Sequence, residues 1–265
     1  MPVYKAEAIV LRQQVLGEAD RIVTLFTREY GKVRATAKGI RRPTSRLGGR
    51  IEPYTHVRLL LARGRTLDVI AQAEVVGTFA GVRADLIRSA YAAYVVELVD
   101  RGLADRDRHE EIFTLIRETL DALDRAGGDD AETLALRFAL RLASLLGYQP
   151  ETAACVECGR SLPRTQGTVE GWAFSAQRGG ALCPTCRVED PEAIVTPPGM
   201  LAMVDYLGRA DGAQAHRLCM TAGQRGDLSR LVQGHLEYRL EVKLRAPQVI
   251  RRLRETFDPV PTPSL

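Results

Sequence analysis

The residues best suited to chemistry in this sequence are four cysteines arranged as two Cys-x2-Cys pairs. Cys155 and Cys158 form the first pair, and Cys183 and Cys186 form the second pair after 24 intervening residues. A tetrahedral zinc site takes four soft ligands at about 2.3 Å, and each pair can place two thiolates on one side of the metal. The spacer is slightly longer than the common ~15–20 residues. The pattern predicts one zinc ion per chain.

The composition around the cysteines predicts a structural site. No histidine lies within residues 151–190, so all four ligands would be thiolates and no open coordination position is expected. The segments 168–174 and 179–182 are predicted to form the hairpin that joins the pairs. Two alternatives stay open: Cys183-Pro184-Thr185-Cys186 also resembles a redox motif, and the thiols could be metal-free or disulfide-bonded. The fifth cysteine, Cys219, is predicted to be a buried apolar residue of a helix.

A second chemically suggestive feature is an arginine-rich segment near the N-terminus. From Arg28 to Arg65 the chain has 11 basic and two acidic residues, a net charge of +9. Its centre, residues 38–50, combines glycine and arginine in a predicted loop that can follow a phosphate backbone and release its counterions. Tyr30 and Tyr54 could stack on bases, but tyrosines of small barrels more often pack. We predict a nucleic-acid partner; the alternatives are a solvated surface or an acidic protein.

The elements that must position these residues change character along the chain. Five strand-like patterns with glycine-rich turns fill the first 80 residues and favour a small barrel of the OB type. Apolar residues at helical spacing then predict helices near 86–98, 112–123 and 134–146, and beyond Pro197-Pro198 near 201–207 and 216–220. A long helix is predicted from an N-cap at about Asp227 to Arg245, ended by Pro247 and followed by a shorter basic helix.

Together these patterns predict an α+β multi-domain protein. We expect an OB-fold nucleic-acid-binding domain at 1–80 and an α-helical domain built from 81–150 and 191–256. A zinc-ribbon-like module at 151–190 is inserted into the helical domain, because that stretch is rich in glycine and proline and lacks helical periodicity. Residues 257–265 are expected to form a disordered tail.

Composition and missing motifs exclude several classes of protein. The net charge is +4, and 45% of residues are hydrophobic. Because no run of 18 apolar residues and no secretory signal is present, we expect no membrane association and a cytoplasmic location. The sequence lacks GxxxxGK[ST], HExxH and GxSxG motifs, and its four histidines are scattered. We therefore predict no catalytic activity.

Specific strings in the chain resemble the RecO family of bacterial recombination mediators. They are residues 17–27 (GEADRIVTLFT), Gly31-Lys32, 37–43 (AKGIRRP), 52–54 (EPY), the two cysteine pairs with Phe174 before the second, and 235–244 (HLEYRLEVKL). The N-terminal string is specific, whereas the cysteine pairs alone would fit many families. The resemblance covers nearly the whole chain, and it implies that the cytoplasmic location is nucleoid-associated. One departure is the scarcity of lysine, because arginine occupies most basic positions.

The resemblance implies an OB-fold N-terminus, a helical domain, a zinc module and a non-catalytic activity. That activity is binding of single- and double-stranded DNA, annealing of complementary strands, and loading of RecA onto DNA coated by single-stranded-DNA-binding protein. The implied partners are RecR and the acidic C-terminal tail of that binding protein, for which Arg251, Arg252 and Arg254 are chemically suited. The implied DNA-binding set is Arg34, Lys38, Arg41, Arg42, Arg46 and Arg50. The rival hypothesis is a zinc-stabilised protein-interaction scaffold without direct DNA handling; a zinc-ribbon nuclease or RNA-modifying enzyme is weaker.

Overall fold

The computed structural model describes residues 2–45, 47–163, 171–215 and 217–257. Contacts between Cα atoms divide the chain into two compact units. The first contains the chain up to Ala126 together with the helical segment that starts at Gln248, and the second runs from Gly127 to Pro247. Within the described residues, no helix is both long enough and apolar enough to cross a bilayer.

The first unit is built on a closed five-stranded barrel, which confirms the predicted β-barrel. Its strand order is β1-β2-β3-β5-β4, with β3 and β5 parallel and the other neighbours antiparallel. A bulge between Val10 and Arg12 in β1 shifts the register against β2. The strands are β1 (Val3–Leu16), β2 (Asp20–Thr27), β3 (Gly31–Ala37), β4 (His56–Ala62) and β5 (Asp68–Gly77).

Alternation along the strands gives the barrel a buried interior and a second buried patch outside. Inward residues such as Val10, Leu25 and Leu61 are fully buried in one cluster. Phe26 lies on the outer side, and its ring centroid is 6.4 Å from that of Phe113, which lies on a helix of the same unit. The helices of this unit are α1 (Ala80–Ala84), α2 (Leu86–Gly102), α3 (Glu110–Arg125) and most of α8 (Ala246–Phe257).

The second unit combines a helical bundle with the cysteine-bearing segment. Its helices are α4 (Gly128–Leu145), α5 (Pro198–Arg209), α6 (Gly212–Ala215) and α7 (Ala222–Arg239). Helix α4 packs against both α5 and α7. The cysteine-bearing segment contains strands β6 (Ala173–Ser175), β7 (Gly180–Leu182) and β8 (Ile194–Val195). They form a small sheet of order β7-β6-β8, and a 3-10 helix at Cys186–Glu189 lies between β7 and β8 in the chain.

Three local predictions for the C-terminal part were wrong. Helix α7 begins at Ala222, not near Asp227, because Thr221 and Gln224 form a reciprocal capping box. It ends at Arg239, well before Arg245, and Glu241 has a φ of 54°, which is incompatible with a right-handed helix. Pro247 does not end this helix. It lies in the first turn of α8, where its missing N–H would have no helical partner.

The region around Cys219 also differs from the prediction. The helical stretch expected at 216–220 is not formed at residues 218–220, which have no regular structure. The short helix α6 ends before this stretch, at Ala215. Cys219 is consequently exposed rather than buried in a helix. Residue 216 and residues 258–265 of the expected disordered tail lie outside the described residues.

Candidate metal centre and candidate nucleic-acid interface

The four predicted metal ligands converge on one point. The Sγ atoms of Cys155, Cys158, Cys183 and Cys186 all lie within 4.8 Å of one another, although the two pairs are far apart in sequence. Two ligands at 2.3 Å in tetrahedral geometry are separated by about 3.8 Å. The Cys158 and Cys183 sulfurs are 3.7 Å apart, which fits that geometry. None of the cysteines is disulfide-bonded. The donor set therefore suits one tetrahedral metal ion.

Local backbone geometry explains how each pair presents its thiols. In the first pair, the Gly159 N–H donates to the Cys155 carbonyl at 2.9 Å, and Gly159 closes the turn with a φ of 72°. In the second pair, β7 delivers Cys183, and the Arg187 N–H donates to the Cys183 carbonyl at 3.0 Å as the 3-10 helix begins. Both pairs form tight turns that point two sulfurs to the same side.

The electrostatics of the cluster favour a cation among the sulfurs. Burial raises the pKa of the Cys183 thiol, but hydrogen bonds from the Cys186 backbone and neighbouring thiols outweigh it and bring the pKa to about 6. Hydrogen bonds to Cys183 and then to Cys158 raise the pKa of Cys186 to about 12. Without a cation, neighbouring thiolates repel one another and one thiol keeps its proton. A bound divalent cation would remove this conflict, because its charge compensates the thiolates and so favours deprotonation of every coordinating thiol.

The cluster is attached to a small core of its own. The predicted hairpin is present as β6 and β7, paired from Ala173↔Leu182 to Ser175↔Gly180, while residues 168–170 lie outside the described residues. Trp172 and Phe174 are each 2% exposed. Phe174 packs edge-on against His235 of α7 at 5.6 Å, and His235 donates from Nε2 to the Tyr148 carbonyl at 2.7 Å. The hairpin thus connects the sulfur cluster to the helices of the same unit.

The basic residues of the arginine-rich segment divide into two groups in the structure: exposed residues without an ion pair among the described residues, and residues with structural partners. Arg34, Lys38, Arg41 and Arg42 are exposed, and none of them forms an ion pair within the described part of the chain. Arg34 is the one exposed residue of β3. Lys32, on the same strand, is buried and donates to the Leu103 carbonyl at 2.7 Å. These four exposed cations are available to an anionic ligand.

Other members of the basic segment have structural partners. Arg28 pairs with Glu7 at 2.7 Å and lies 5.0 Å from the centre of the Phe113 ring. Arg50 is exposed, and it donates to the Ala73 carbonyl at 3.3 Å. Arg46 lies outside the described residues. Tyr30 packs edge-on against Tyr4 at 4.7 Å, a packing role rather than an open stacking platform.

The basic loop between β3 and β4 is held against the barrel at several points. Ile40 and Ile51 are buried in the barrel core. The Gly39 N–H donates to Asp20 Oδ1 at 2.7 Å, and the Arg41 N–H donates to the Ala19 carbonyl at 3.0 Å. The loop therefore presents Lys38, Arg41 and Arg42 from a fixed backbone. Sequence reasoning did not foresee its attachment to the β1–β2 hairpin, and no sequence signal marks it.

A groove beside this loop has a different character. It has a volume of about 810 Å³, and its lining mixes both signs of charge. The charged lining residues are Lys5, Glu7, Glu29, Arg50, Arg58 and Glu74. Three carboxylates in the groove oppose a phosphate backbone, so the exposed edge of the loop is the better anion surface.

Helix α8 carries the three arginines that are chemically suited to an acidic tail, Arg251, Arg252 and Arg254. Arg251 and Arg252 are exposed there, whereas Arg254 lies 5.8 Å from the centre of the Tyr91 ring in the same unit. Arg254 is therefore occupied by a cation–π contact. Arg251 and Arg252 are therefore the arginines of α8 that remain open to an external anion.

Comparison with known proteins gives one consistent family. The model of "Recombination protein O N terminal" matches residues 1–79, and that of "Recombination protein O C terminal" matches residues 83–248. A protein named DNA repair protein RecO from Symbiobacterium thermophilum is 36% identical over 254 residues, covering 96% of this chain and 99% of the relative. A protein of the same name from Rubrobacter xylanophilus is 40% identical over 240 residues, covering 89% of this chain and 92% of the relative. The two domain matches and the full-length relatives show that the chain belongs to the RecO family.

Proposed function

We propose that this protein is a non-catalytic DNA-handling factor of repair and recombination. It binds single- and double-stranded DNA, anneals complementary strands, and helps load RecA onto single strands coated by their binding protein. Family membership supports the repair role, since the relatives carry the name DNA repair protein RecO. The observation that carries DNA binding is the set of exposed cations without ion pairs on the barrel: Arg34, Lys38, Arg41 and Arg42.

The proposed contact is with phosphates rather than with base edges. Each guanidinium or ammonium that neutralises a phosphate releases condensed counterions, and that release drives binding of any sequence. The loop that carries Lys38, Arg41 and Arg42 is anchored by buried isoleucines and backbone hydrogen bonds, so little backbone entropy is lost on binding. This arrangement supports tight but sequence-independent binding.

Annealing requires that the charges of two strands be offset together. The exposed Arg251 and Arg252 of α8 belong to the same compact unit as the barrel and supply further positive charge. Such charge compensation lets complementary bases pair without an energy source. We assign no catalytic residue to the chain.

We propose zinc as the metal of the four-cysteine cluster. Four thiolates at tetrahedral spacing match structural zinc sites, and a complete thiolate shell leaves no position for a reactive water. Zinc bound by Cys155, Cys158, Cys183 and Cys186 would supply folding free energy to a segment with few strands and a small core. Its role is to hold the module together rather than to act on DNA.

The proposed protein partners are RecR, the acidic tail of the single-stranded-DNA-binding protein and, through them, the RecA pathway. The exposed Arg251 and Arg252 are chemically suited to an acidic tail. The competing function is a zinc-stabilised scaffold that contacts only acidic proteins. The exposed basic loop of the barrel favours DNA, because its cations are arranged on a rigid edge.

A strand-annealing assay without nucleotide tests the proposal. Two complementary oligonucleotides are mixed with the full-length protein, with and without the single-stranded-DNA-binding protein, and duplex formation is followed by fluorescence quenching. We expect acceleration in both cases and a decrease as salt rises. A purified, folded protein that neither binds oligonucleotides nor accelerates annealing at low salt would support the scaffold instead.

A further inference from the structure

The tip of the β1–β2 hairpin exposes two adjacent aliphatic side chains. Val15 is 64% exposed and Leu16 is 40% exposed, at the end of β1. Neither belongs to the barrel core. A single exposed aliphatic residue is common in proteins, but two at one hairpin end leave a small apolar surface in water with no role in folding.

Strand register places these two side chains on opposite faces of the hairpin. Val15 pairs with Arg21, and Leu16 pairs with Asp20. Successive residues of a strand point to opposite faces, so Val15 shares a face with Gln13 and Leu16 lies on the other face. Each face of the hairpin end therefore carries one exposed aliphatic side chain beside its charged cross-strand partner, and a wedge between two flat groups requires such an aliphatic side chain on either face.

The apolar tip is fixed next to the basic loop. The Gly39 N–H and the Arg41 N–H bond to Asp20 and Ala19, which are the residues that follow the tip in the hairpin. Gln13 Nε2 also donates to the Ile51 carbonyl at the other end of the loop. The hairpin tip and the basic loop are accordingly adjacent segments of the barrel, and we call their exposed side chains together the tip-loop surface: Val15, Leu16, Lys38, Arg41 and Arg42.

We infer that the tip-loop surface binds a single nucleic-acid strand, with Val15 and Leu16 contacting the faces of its bases while Lys38, Arg41 and Arg42 bind its phosphates. This inference rests on the proposed function and specifies how its barrel engages DNA. A single strand repeats an anionic group and a flat apolar group at every nucleotide, so one ligand satisfies both parts of the surface. Aliphatic side chains can insert between the stacked bases of a duplex at the cost of unstacking them, and a single strand offers the same base faces at a lower cost.

The charge of the turn sets the orientation of the strand. Glu18 is exposed at the turn, where it repels phosphates. The phosphates are therefore directed to the loop and the bases to the tip. In a duplex the base faces are stacked on one another, so the tip favours single strands over double strands.

The test compares two strands that differ only in their bases. Full-length wild-type protein and the double variant Val15→Thr/Leu16→Thr are titrated with a fluorescent single-stranded oligonucleotide and with an abasic deoxyribose-phosphate strand of equal length. We expect wild type to prefer the strand with bases, and the variant to lose about tenfold in affinity for that strand only. The slope of log K against log salt stays unchanged, because no phosphate contact is removed. The control Val3→Thr, a change at a 60% exposed site at the other end of β1, leaves both affinities unchanged.

The possible failures are distinguishable. If the double variant binds the strand with bases as tightly as wild type, or weakens on both strands equally, the wedge is refuted. Equal wild-type affinity for both strands refutes the wedge and leaves the proposed DNA binding intact, whereas no binding of either strand refutes both. If the variant binds both strands like wild type but no longer binds an acidic, apolar peptide that wild type binds, the tip belongs to a protein partner and the inference is overturned.

Discussion

Replacing Arg41 and Arg42 together by glutamine should reduce the salt dependence of DNA binding by a calculable amount. Both side chains are exposed and lack ion pairs in the described part of the chain, so the change removes charge without breaking an internal contact. The backbone bond from Arg41 N–H to Ala19 is retained. The loop should keep its conformation while losing two phosphate contacts.

The magnitude follows from counterion release. The exposed members of the predicted set that have no partner in the described part of the chain are Arg34, Lys38, Arg41 and Arg42. If each neutralises one phosphate of a single strand, log K falls with log salt with a slope of about −2.8, and the variant slope is about −1.4. Between about 50 and 200 mM salt, wild type should lose roughly 50-fold in affinity and the variant roughly 7-fold.

Fluorescence anisotropy with labelled oligonucleotides at several salt concentrations measures both slopes. Several unrelated sequences should give the same loss, because phosphates carry no sequence information. The matched control is Arg209→Gln/Arg230→Gln, which removes two exposed arginines that are ion-paired on helices of the other unit. An Arg41/Arg42 variant with the wild-type slope, or with a loss confined to certain sequences, would refute the phosphate assignment.

Three further predictions concern metal, packing and pH. Metal analysis should find about one zinc per chain. Cys183→Ser should abolish zinc binding and lower the thermal stability of the module, whereas Cys219→Ser should do neither. A metal-free wild-type protein would contradict this prediction. Lys32→Met should lower the free energy of unfolding by about 2 kcal/mol, because buried carbonyls lose their hydrogen-bond donor. Arg34→Met on the same strand should change the free energy of unfolding by less than about 0.5 kcal/mol. Equal effects of the two variants in urea titrations would disprove the distinction. Burial lowers the pKa of His235 in the folded chain. As pH falls below about 6.5, this imidazole therefore binds a proton more readily in the unfolded chain, and the free energy of unfolding should decrease. His235→Phe, which keeps the ring contact, should make that decrease shallower in denaturant titrations; an unchanged pH dependence would contradict the assignment.

Local pattern was sufficient for the parts of this protein that depend on near neighbours. Alternation of apolar residues in the first 80 residues predicted the closed barrel, since period-two burial is intrinsic to a strand. The spacing of Cys155, Cys158, Cys183 and Cys186 predicted a four-thiolate cluster, because each turn is short enough to fix its two sulfurs. The helix limits failed where capping decided them. Thr221 with Gln224 starts α7, whereas the sequence pattern predicts an N-cap at about Asp227.

Long-range contacts decided which charged and apolar residues are available for binding. Lys32 and Arg34 occupy the same strand and look alike in sequence, yet one is buried against backbone carbonyls while the other faces solvent. Cys219 became exposed because its segment is not helical. The apolar tip meets the basic loop through hydrogen bonds across some 20 residues of chain, which no local pattern encodes. Sequence thus determined the kinds of elements and the metal ligands, while folding selected which side chains form the surface, since burial depends on partners distant in the chain.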